Sequence, residues 1–454
     1  MPFQGETAGY APLRRIIESP RINELIKSWH ILKREPAEEC IDFDIRCQGK
    51  KEQTINIPDL VVAIDGSCLE SNILNGFPCA TVGYVAVASV LLDMSKMREV
   101  EASDFIDPVA VRQTESITSL EAVFPGANVV GQGEENAKAH YRRVLFDKLK
   151  ENKIFSNCET LLQTYEYLFQ IKRQEGGANL PKSPIDGCEE RMTYGEGEYQ
   201  CPYTGKPLFS TDALRLHELM KEDGKNEDLF TQTMGMLEKL WFIHILRSFE
   251  QKNWLPYLHK IAFVLDGPLA VFGTASWLTK AISKEITRIN DLQKKDSHQD
   301  LIIIGVEKTG AFVNHFELID TSNGGAKGNF PRGKVLLLDD KYIKKNILYT
   351  AIENGKPYGQ DTYFGRKFLY KTSNGQRIVA SVATFTSDQA NIMTADWNQF
   401  PRIGDILNLL DRIYSSRYPN AILPLVSAHA EASIPQHLGN AIFEQIAKEL
   451  RNNS

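Results

Sequence analysis

Two apolar segments that each run into Asp-Gly constrain this chain most. Leu60 to Ile64 is long enough for a buried strand and too short for an ordinary helix, and Asp65-Gly66-Ser67 follows it directly. Far downstream, Ile261 to Leu265 leads in the same way into Asp266-Gly267. We expect each strand to stop at its turn, which holds the carboxylate on a rigid element with open space in front of it. The two aspartates are therefore predicted to share one site.

Size and charge are those of an ordinary globular protein. The 454 residues are 42% hydrophobic and 24% charged, enough for one or more large cores. The net charge of -6 gives no global basic field, but a local basic groove for nucleic acid would not be visible in that sum. We see no signal segment and no apolar run of about 18 residues, so we expect a soluble cytoplasmic protein with no membrane association.

Hydrophobic periodicity predicts an α/β architecture. A strand at 80–92 should form an antiparallel hairpin with the first aspartate strand, and a helix from 229 to about 253 should lead into the second. Residues 174–207 lack periodicity and indicate a loop or an inserted module. Further helices are expected at 11–35 (two short ones), 135–170, 277–292, 403–418 and from 435, and further strands at 301–306, 334–339, 364–370, 377–385 and 421–426.

Three carboxylates are candidates for one metal site. Asp-Gly alone is also a common turn, and a helix glutamate is usually solvated. Glu238, however, lies beside the buried stripe of the helix that leads into the Asp266 strand. Asp65, Glu238 and Asp266 would together form an oxygen-rich site for Mn²⁺ or Mg²⁺. Such a cation can deprotonate a water and stabilise the leaving oxygen of a phosphodiester.

A histidine and a lysine are candidates beside these carboxylates. His429, expected just past a strand, could complete a metal shell or act as an acid or base, with a structural histidine as the alternative. His437 is a weaker candidate on the following helix. Lys308, just past the strand at 301–306, could contact a scissile phosphate, although a solvated lysine is the commoner case.

The order of these motifs resembles the NurA nuclease family. The residues that carry the resemblance are Val62 to Ser67, a helix glutamate, Val264 to Leu269, Gly305 to Gly310 and a late Leu-Pro-Leu-x-x-Ala-His that ends at His429, within a similarity from about 58 to 445. The resemblance implies a ribonuclease H-like mixed sheet core flanked by helices. It also implies a Mn²⁺-dependent DNA nuclease active on single strands and on duplex ends with 5′ to 3′ polarity, a homodimer, and a HerA-type hexameric ATPase as partner, in DNA repair or anti-phage defence.

The resemblance also assigns site residues and segments. Asp65 and Asp266 match the metal-binding aspartates of the family, and His429 matches its late histidine. Glu238 best matches the helix glutamate, and Glu250 is a competing assignment. The implied segments are an N-terminal helical arm at 1–55, nuclease core parts at 56–120 and 236–454, and a large inserted helical and loop module at 121–235 that could contact DNA or the partner.

Seven cysteines, at positions 40, 47, 68, 79, 158, 188 and 201, are odd in number and lack paired spacing, which argues against a disulfide framework. Within the insertion, Cys188 and Cys201 resemble a zinc knuckle that has lost ligands. A structural Zn²⁺ site needs four ligands, whereas Thr204 takes the place of a second cysteine and His217 is a distant substitute. We expect a hairpin without metal.

Two other functions fit parts of the pattern. Actin-like and sugar-kinase ATPases also begin with an apolar strand followed by Asp-Gly, but they need a later Gly-rich nucleotide turn, for which Gly324-Gly325 is a poor candidate. A non-catalytic adaptor of the translocase is the other alternative. The complete set Asp65, Glu238, Asp266 and His429 argues against an adaptor.

Overall fold

The computed structural model describes residues 15, 18–28, 47–49, 56–73, 80–94, 115–174, 180–321, 330–348, 355–414 and 422–433. The chain divides into two compact units, Met1–Arg46 and Cys47–Ser454. In the first unit, helix α1 spans Pro20–Ser28 and confirms one of the two helices expected in 11–35. Most of the other predicted helix lies outside the described residues.

The second unit is built on one mixed nine-stranded sheet. Its order is β1-β9-β10-β11-β8-β7-β2-β3-β4, and β5 pairs separately with β6. The pairs β2–β7 and β7–β8 are parallel and the others are antiparallel. The strands are β1 Gln48–Gly49, β2 Leu60–Asn72, β3 Thr81–Asp93, β4 Glu115–Pro125, β5 Glu198–Gln200, β6 Pro207–Phe209, β7 Ile261–Asp266, β8 Ile302–Glu307, β9 Lys334–Leu337, β10 Gly365–Lys371 and β11 Arg377–Ala383.

Helices cover both faces of this sheet. Side chains alternate along β2, so Val62 and Ile64 join the larger core with helices α2 to α5, whereas Val61 and Ala63 join the core with α9 and α10. We call these the α4 face and the α10 face. The helices are α2 Ala137–Glu151, α3 Leu161–Gln174, α4 Glu227–Gln251, α5 Leu278–Ser297, α6 Ala311–Thr321, α7 Asp340–Asn346, α8 Ser387–Ala390, α9 Ile403–Ile413 and α10 Leu423–Ala432.

Most predicted elements are confirmed, including the β2–β3 hairpin, the long α4 helix and the β7 and β8 strands. The strand predicted at 421–426 is wrong, because that segment begins helix α10. Its proline stands in the first turn of the helix, where its missing N–H costs nothing, and Leu425 and Ala428 bury one helical face in the core. The helix expected from 435 and Gly324-Gly325 lie outside the described residues.

The segment predicted to be an inserted module, 121–235, contains α2, α3, the β5–β6 hairpin and two short 3₁₀ helices. Its apolar side chains belong to the core of the α4 face. Strand β4 runs across the expected boundary at 120/121, and α4 runs across 235/236. The division into four segments remains a prediction. No helix in the described part of the chain is long and apolar enough to cross a membrane.

Candidate active site

Asp65 lies where the parallel partner of its strand ends. Pairing of β2 with β7 stops at Ile64–Leu265, and β7 itself ends at Asp266. The backbone then turns at Gly267, which has a positive φ of 75° and donates its N–H to Val306 over 2.8 Å.

Strand β2 does not stop at Asp65, contrary to the expected turn. It continues to Asn72 because its antiparallel pairing with β3 persists as far as Asn72–Thr81. The open space beside Asp65 therefore results from the end of β7.

Lys308 and His429 meet the two aspartates. The Lys308 ammonium lies 3.3 Å from Asp65 Oδ2 and 3.0 Å from Asp266 Oδ1. His429 Nδ1 lies 3.3 Å from the same Asp65 oxygen. The Asp65 side chain is only 1% exposed, compared with 28% for Asp266 and 55% for His429, so the cluster opens to solvent on one side. The other oxygen of Asp65 is buried and has no hydrogen-bond partner among the described residues.

Glu238 reaches the same strand from the opposite face. Its Oε1 would lie 2.5 Å from a Cβ placed on Gly66, and Met234 Cγ would lie 2.7 Å from it. Because successive side chains of a strand point to opposite faces, Gly66 faces α4 while Asp65 faces α10. The missing side chain at Gly66 is what lets the Glu238 carboxylate pack against the backbone next to Asp65.

Sequence reasoning missed Lys239. Its ammonium donates to Glu238 Oε2 over 2.9 Å and to the backbone carbonyl of Asp266 over 3.3 Å. The residue is only 4% exposed. A buried lysine is rarely tolerated without a partner, so Lys239 ties the helix glutamate to the end of β7. The available signal was the Glu-Lys pair inside an otherwise apolar segment of α4.

Two of the carboxylates, Glu238 and Asp266, have raised pKa values. Burial raises the pKa of Glu238, and the charges of Asp65 and Asp266 add to this rise while Lys239 opposes it. Burial and the Asp65 charge raise the pKa of Asp266 against the opposing Lys308. Burial lowers the pKa of Lys308, but the two aspartates outweigh it and leave that pKa raised. The hydrogen bond to Asp65 raises the pKa of His429. The site thus groups three carboxylates that Lys239 and Lys308 partly neutralise.

The donor set matches a hard divalent cation. Carboxylate oxygens are the ligands that Mn²⁺ and Mg²⁺ prefer, and the unpartnered buried oxygen of Asp65 leaves a strong acceptor to satisfy. Among the described residues, no three acidic, histidine or cysteine side chains are grouped closely enough to hold a metal as they stand. Lys308 bridges the two aspartates and Glu238 stands on the other face, so a bound cation would require the Lys308 contacts to open.

The structure also places the other candidates. His429 lies on helix α10 and not just past a strand, and the helix brings it to Asp65. Glu250, the competing helix glutamate, forms ion pairs with Arg288 and has no contact with either aspartate. His437 lies outside the described residues.

The expected hairpin around Cys201 is present as β5–β6, which flank a turn in which Gly205 donates its N–H to Cys201. Burial raises the pKa of Cys201, but hydrogen bonds from Thr204, from the backbone and from Cys188 outweigh it and lower that pKa. The five cysteines in the described part of the chain are free. His217 is buried, and its pKa is lowered by burial and by nearby cations.

Solved structures and one family model are similar to this chain. The crystal structure of the NurA nuclease from Sulfolobus solfataricus is similar at 11% identity and a TM-score of 0.38, covering 98% of this chain and 97% of that one. A crystal structure of NurA is similar at 10% identity and a TM-score of 0.31, covering 98% of both chains. A crystal structure of NurA with manganese is similar at 10% identity and a TM-score of 0.29, covering 96% of this chain and 98% of that one. No curated protein matches the chain. The model of the NurA domain family matches residues 59–434, so the chain belongs to the NurA domain family.

Proposed function

We propose that this protein is a DNA nuclease that hydrolyses phosphodiester bonds with Mn²⁺ or Mg²⁺. The observation that carries the proposal is the convergence of Asp65, Asp266 and Lys308 at the end of β7, within a chain of the NurA domain family. Two carboxylates within reach of one ammonium, with raised pKa values for Asp266 and Lys308, form a cluster of a kind found at functional sites.

Each residue of the cluster has a role in this proposal. Asp65, Glu238 and Asp266 supply carboxylate ligands and His429 supplies a nitrogen ligand or a proton carrier. The chemistry that such a cation supplies is activation of a water molecule and neutralisation of charge on the leaving oxygen. Lys308 balances the charge of the aspartates and, in this proposal, contacts the scissile phosphate. Lys239 holds Glu238 against the end of β7.

The core is proposed to be ribonuclease H-like. Five neighbouring strands support this: β4, β3 and β2 form antiparallel pairs, and β7 and then β8 continue parallel to β2. Along the chain, β2 is the first and β7 the fourth of these five strands, and they carry Asp65 and Asp266. The register of the β2–β7 pair brings the two aspartates side by side.

The remaining expectations rest on the family resemblance. They are 5′ to 3′ exonuclease and single-strand endonuclease activity, a homodimer, a HerA-type hexameric ATPase as partner, a place in DNA repair or anti-phage defence, and a cytoplasmic location. Co-purification of the protein with a hexameric ATPase, and its mass in solution, would test the assembly separately from the chemistry.

Cleavage of linear DNA tests the function directly. The wild-type protein should degrade labelled DNA when Mn²⁺ or Mg²⁺ is added and not in the presence of a chelator. Asp65→Ala should abolish this degradation while the circular dichroism spectrum and the melting profile remain those of a folded protein. Unchanged cleavage by this variant would remove Asp65 from the mechanism.

A further inference from the structure

The inserted module and the loop after the Asp266 strand enclose a cleft of about 500 Å³. Thr274, Ser276 and Trp277 of that loop form one wall. The opposite wall comes from the inserted module and includes the side chains of Lys172, Lys182, Arg191 and Arg215. The cleft therefore exists only because the insertion faces the core at this point.

The cleft is cationic in a chain with a net charge of -6. Four of its eleven described lining residues are Lys or Arg, and none of those eleven is acidic. Lys182 and Arg215 form ion pairs with Glu189 and Glu218, which stand outside the lining. Arg191 donates to the Leu180 carbonyl over 2.7 Å and forms no ion pair with a carboxylate of the described chain. The lining itself therefore presents Lys and Arg side chains and no carboxylate.

The two walls are joined through Trp277. The Trp277 indole N–H donates to the Ala213 carbonyl over 3.1 Å, which joins the loop to the insertion. Its ring also packs against Phe169 and Tyr165 with centroids 5.5 Å and 6.3 Å away. The Thr274 hydroxyl, on the loop wall, is buried and has no hydrogen-bond partner among the described residues.

The cleft shares a loop with the candidate active site. That loop begins at Gly267, directly after Asp266, and the first of its residues in the cleft lining is Thr274. Gly273 of the loop lies against Gln232 of α4, where an added Cβ would clash with the Gln232 side chain. Gln232 is six residues before Glu238 on the same helix, a distance of about 9 Å along the axis.

We propose that this cleft binds the phosphodiester backbone of a single DNA strand and holds it beside the cleavage site. The inference rests on the proposed nuclease function and assigns a role to the inserted module. Dispersed cations that line an open groove track successive phosphates, whereas an isolated anion is held by groups that converge on one point. The half-buried Trp277 adds an aromatic surface of the kind on which bases stack.

Binding of labelled oligothymidylate in the presence of a chelator tests this cleft without cleavage. The full chain is compared with Lys172→Gln/Arg191→Gln, with Lys172→Gln alone, and with Lys341→Gln, which removes an exposed charge on α7. Loss of two contacts to DNA phosphates should reduce the magnitude of the slope of log K against log salt by about 1.4. Near 0.1 M salt this corresponds to a loss of affinity of roughly 20-fold. The single variant should show about half the slope change, and Lys341→Gln none.

The outcomes separate this inference from the proposed function. If the wild type cleaves DNA and the double variant, folded by circular dichroism, binds and cleaves like it, the cleft does not hold the strand. If thymidine monophosphate or inorganic phosphate binds as tightly as the oligonucleotide, the cleft is a site for a free anion and the inference falls. If no variant and no wild type cleaves DNA, the nuclease proposal fails, and a salt-dependent binding difference would still support the cleft.

Discussion

Substitution of Gly66 by alanine tests the arrangement of the site through a single methyl group. The added Cβ would lie 2.5 Å from Glu238 Oε1 and 2.7 Å from Met234 Cγ, about 0.9 Å and 0.7 Å short of an ordinary contact of 3.4 Å. The backbone of Gly66 has no positive φ, so alanine adds no backbone strain and the clash must move Glu238. A displacement near 1 Å at a catalytic group costs about a hundredfold in rate.

The assay is single-turnover cleavage of labelled DNA at saturating Mn²⁺, with the melting temperature measured in parallel. We expect Gly66→Ala to lower the cleavage rate about a hundredfold and to lower stability by about 1 to 3 kcal/mol through overpacking.

Two glycine controls separate these effects. Gly235 lies on α4, the helix that carries Glu238, and has nothing within 4 Å of an added Cβ. Gly235→Ala should therefore keep full activity and gain up to about 1 kcal/mol in helix stability. Gly83→Ala should lose stability through its clash with Phe230 without a specific loss of rate in the folded fraction. Wild-type cleavage by folded Gly66→Ala would refute the placement of Glu238.

Three further predictions concern α4. Lys239→Met should destabilise the fold by about 3 kcal/mol, because it leaves the buried Glu238 carboxylate without its partner. In chemical denaturation the double variant Glu238→Gln/Lys239→Met should be more stable than Lys239→Met alone, but it should still not cleave DNA. Additive losses of stability would contradict the coupling of the two residues. Glu238→Gln should abolish cleavage whereas Glu250→Gln, which weakens only the pair with Arg288, should retain it, and the reverse result would exchange the two glutamates. Burial lowers the pKa of His244 to about 4 from an ordinary 6.5. The unfolded chain therefore binds the extra proton at a higher pH than the folded chain does. Stability should fall by up to about 3 kcal/mol as the pH drops from about 6.5 toward 4. His244→Gln should flatten that part of the urea-unfolding profile, and an unchanged pH dependence would contradict the assignment.

Local patterns were sufficient to predict the strands that carry the aspartates. The apolar runs before Asp65 and Asp266 form β2 and β7, and the hairpin with β3 follows from a second long β-rich run. The amphipathic stripe of α4 correctly placed Glu238 near the buried side of that helix. These features depend on neighbours within a few residues, which periodicity records.

What the sequence did not predict depends on tertiary contacts. Strand β2 passes Asp65 because β3 continues to pair with it, and periodicity contains no information on where a partner ends. The segment at 421–426 is apolar in both interpretations, and packing of Leu425 against the α10 face selects the helix. Lys239 was missed because its burial follows from contacts with Glu238 and the end of β7.

The most direct test of the central claim is an anomalous difference map from crystals of the protein soaked in Mn²⁺. The proposed site predicts a peak beside Asp65 Oδ1 and Asp266, within reach of the Glu238 carboxylate, with the Lys308 ammonium moved away from at least one aspartate. Crystals that bind Mn²⁺ elsewhere, while Lys308 still bridges Asp65 and Asp266, would contradict a metal-dependent nuclease site at this position.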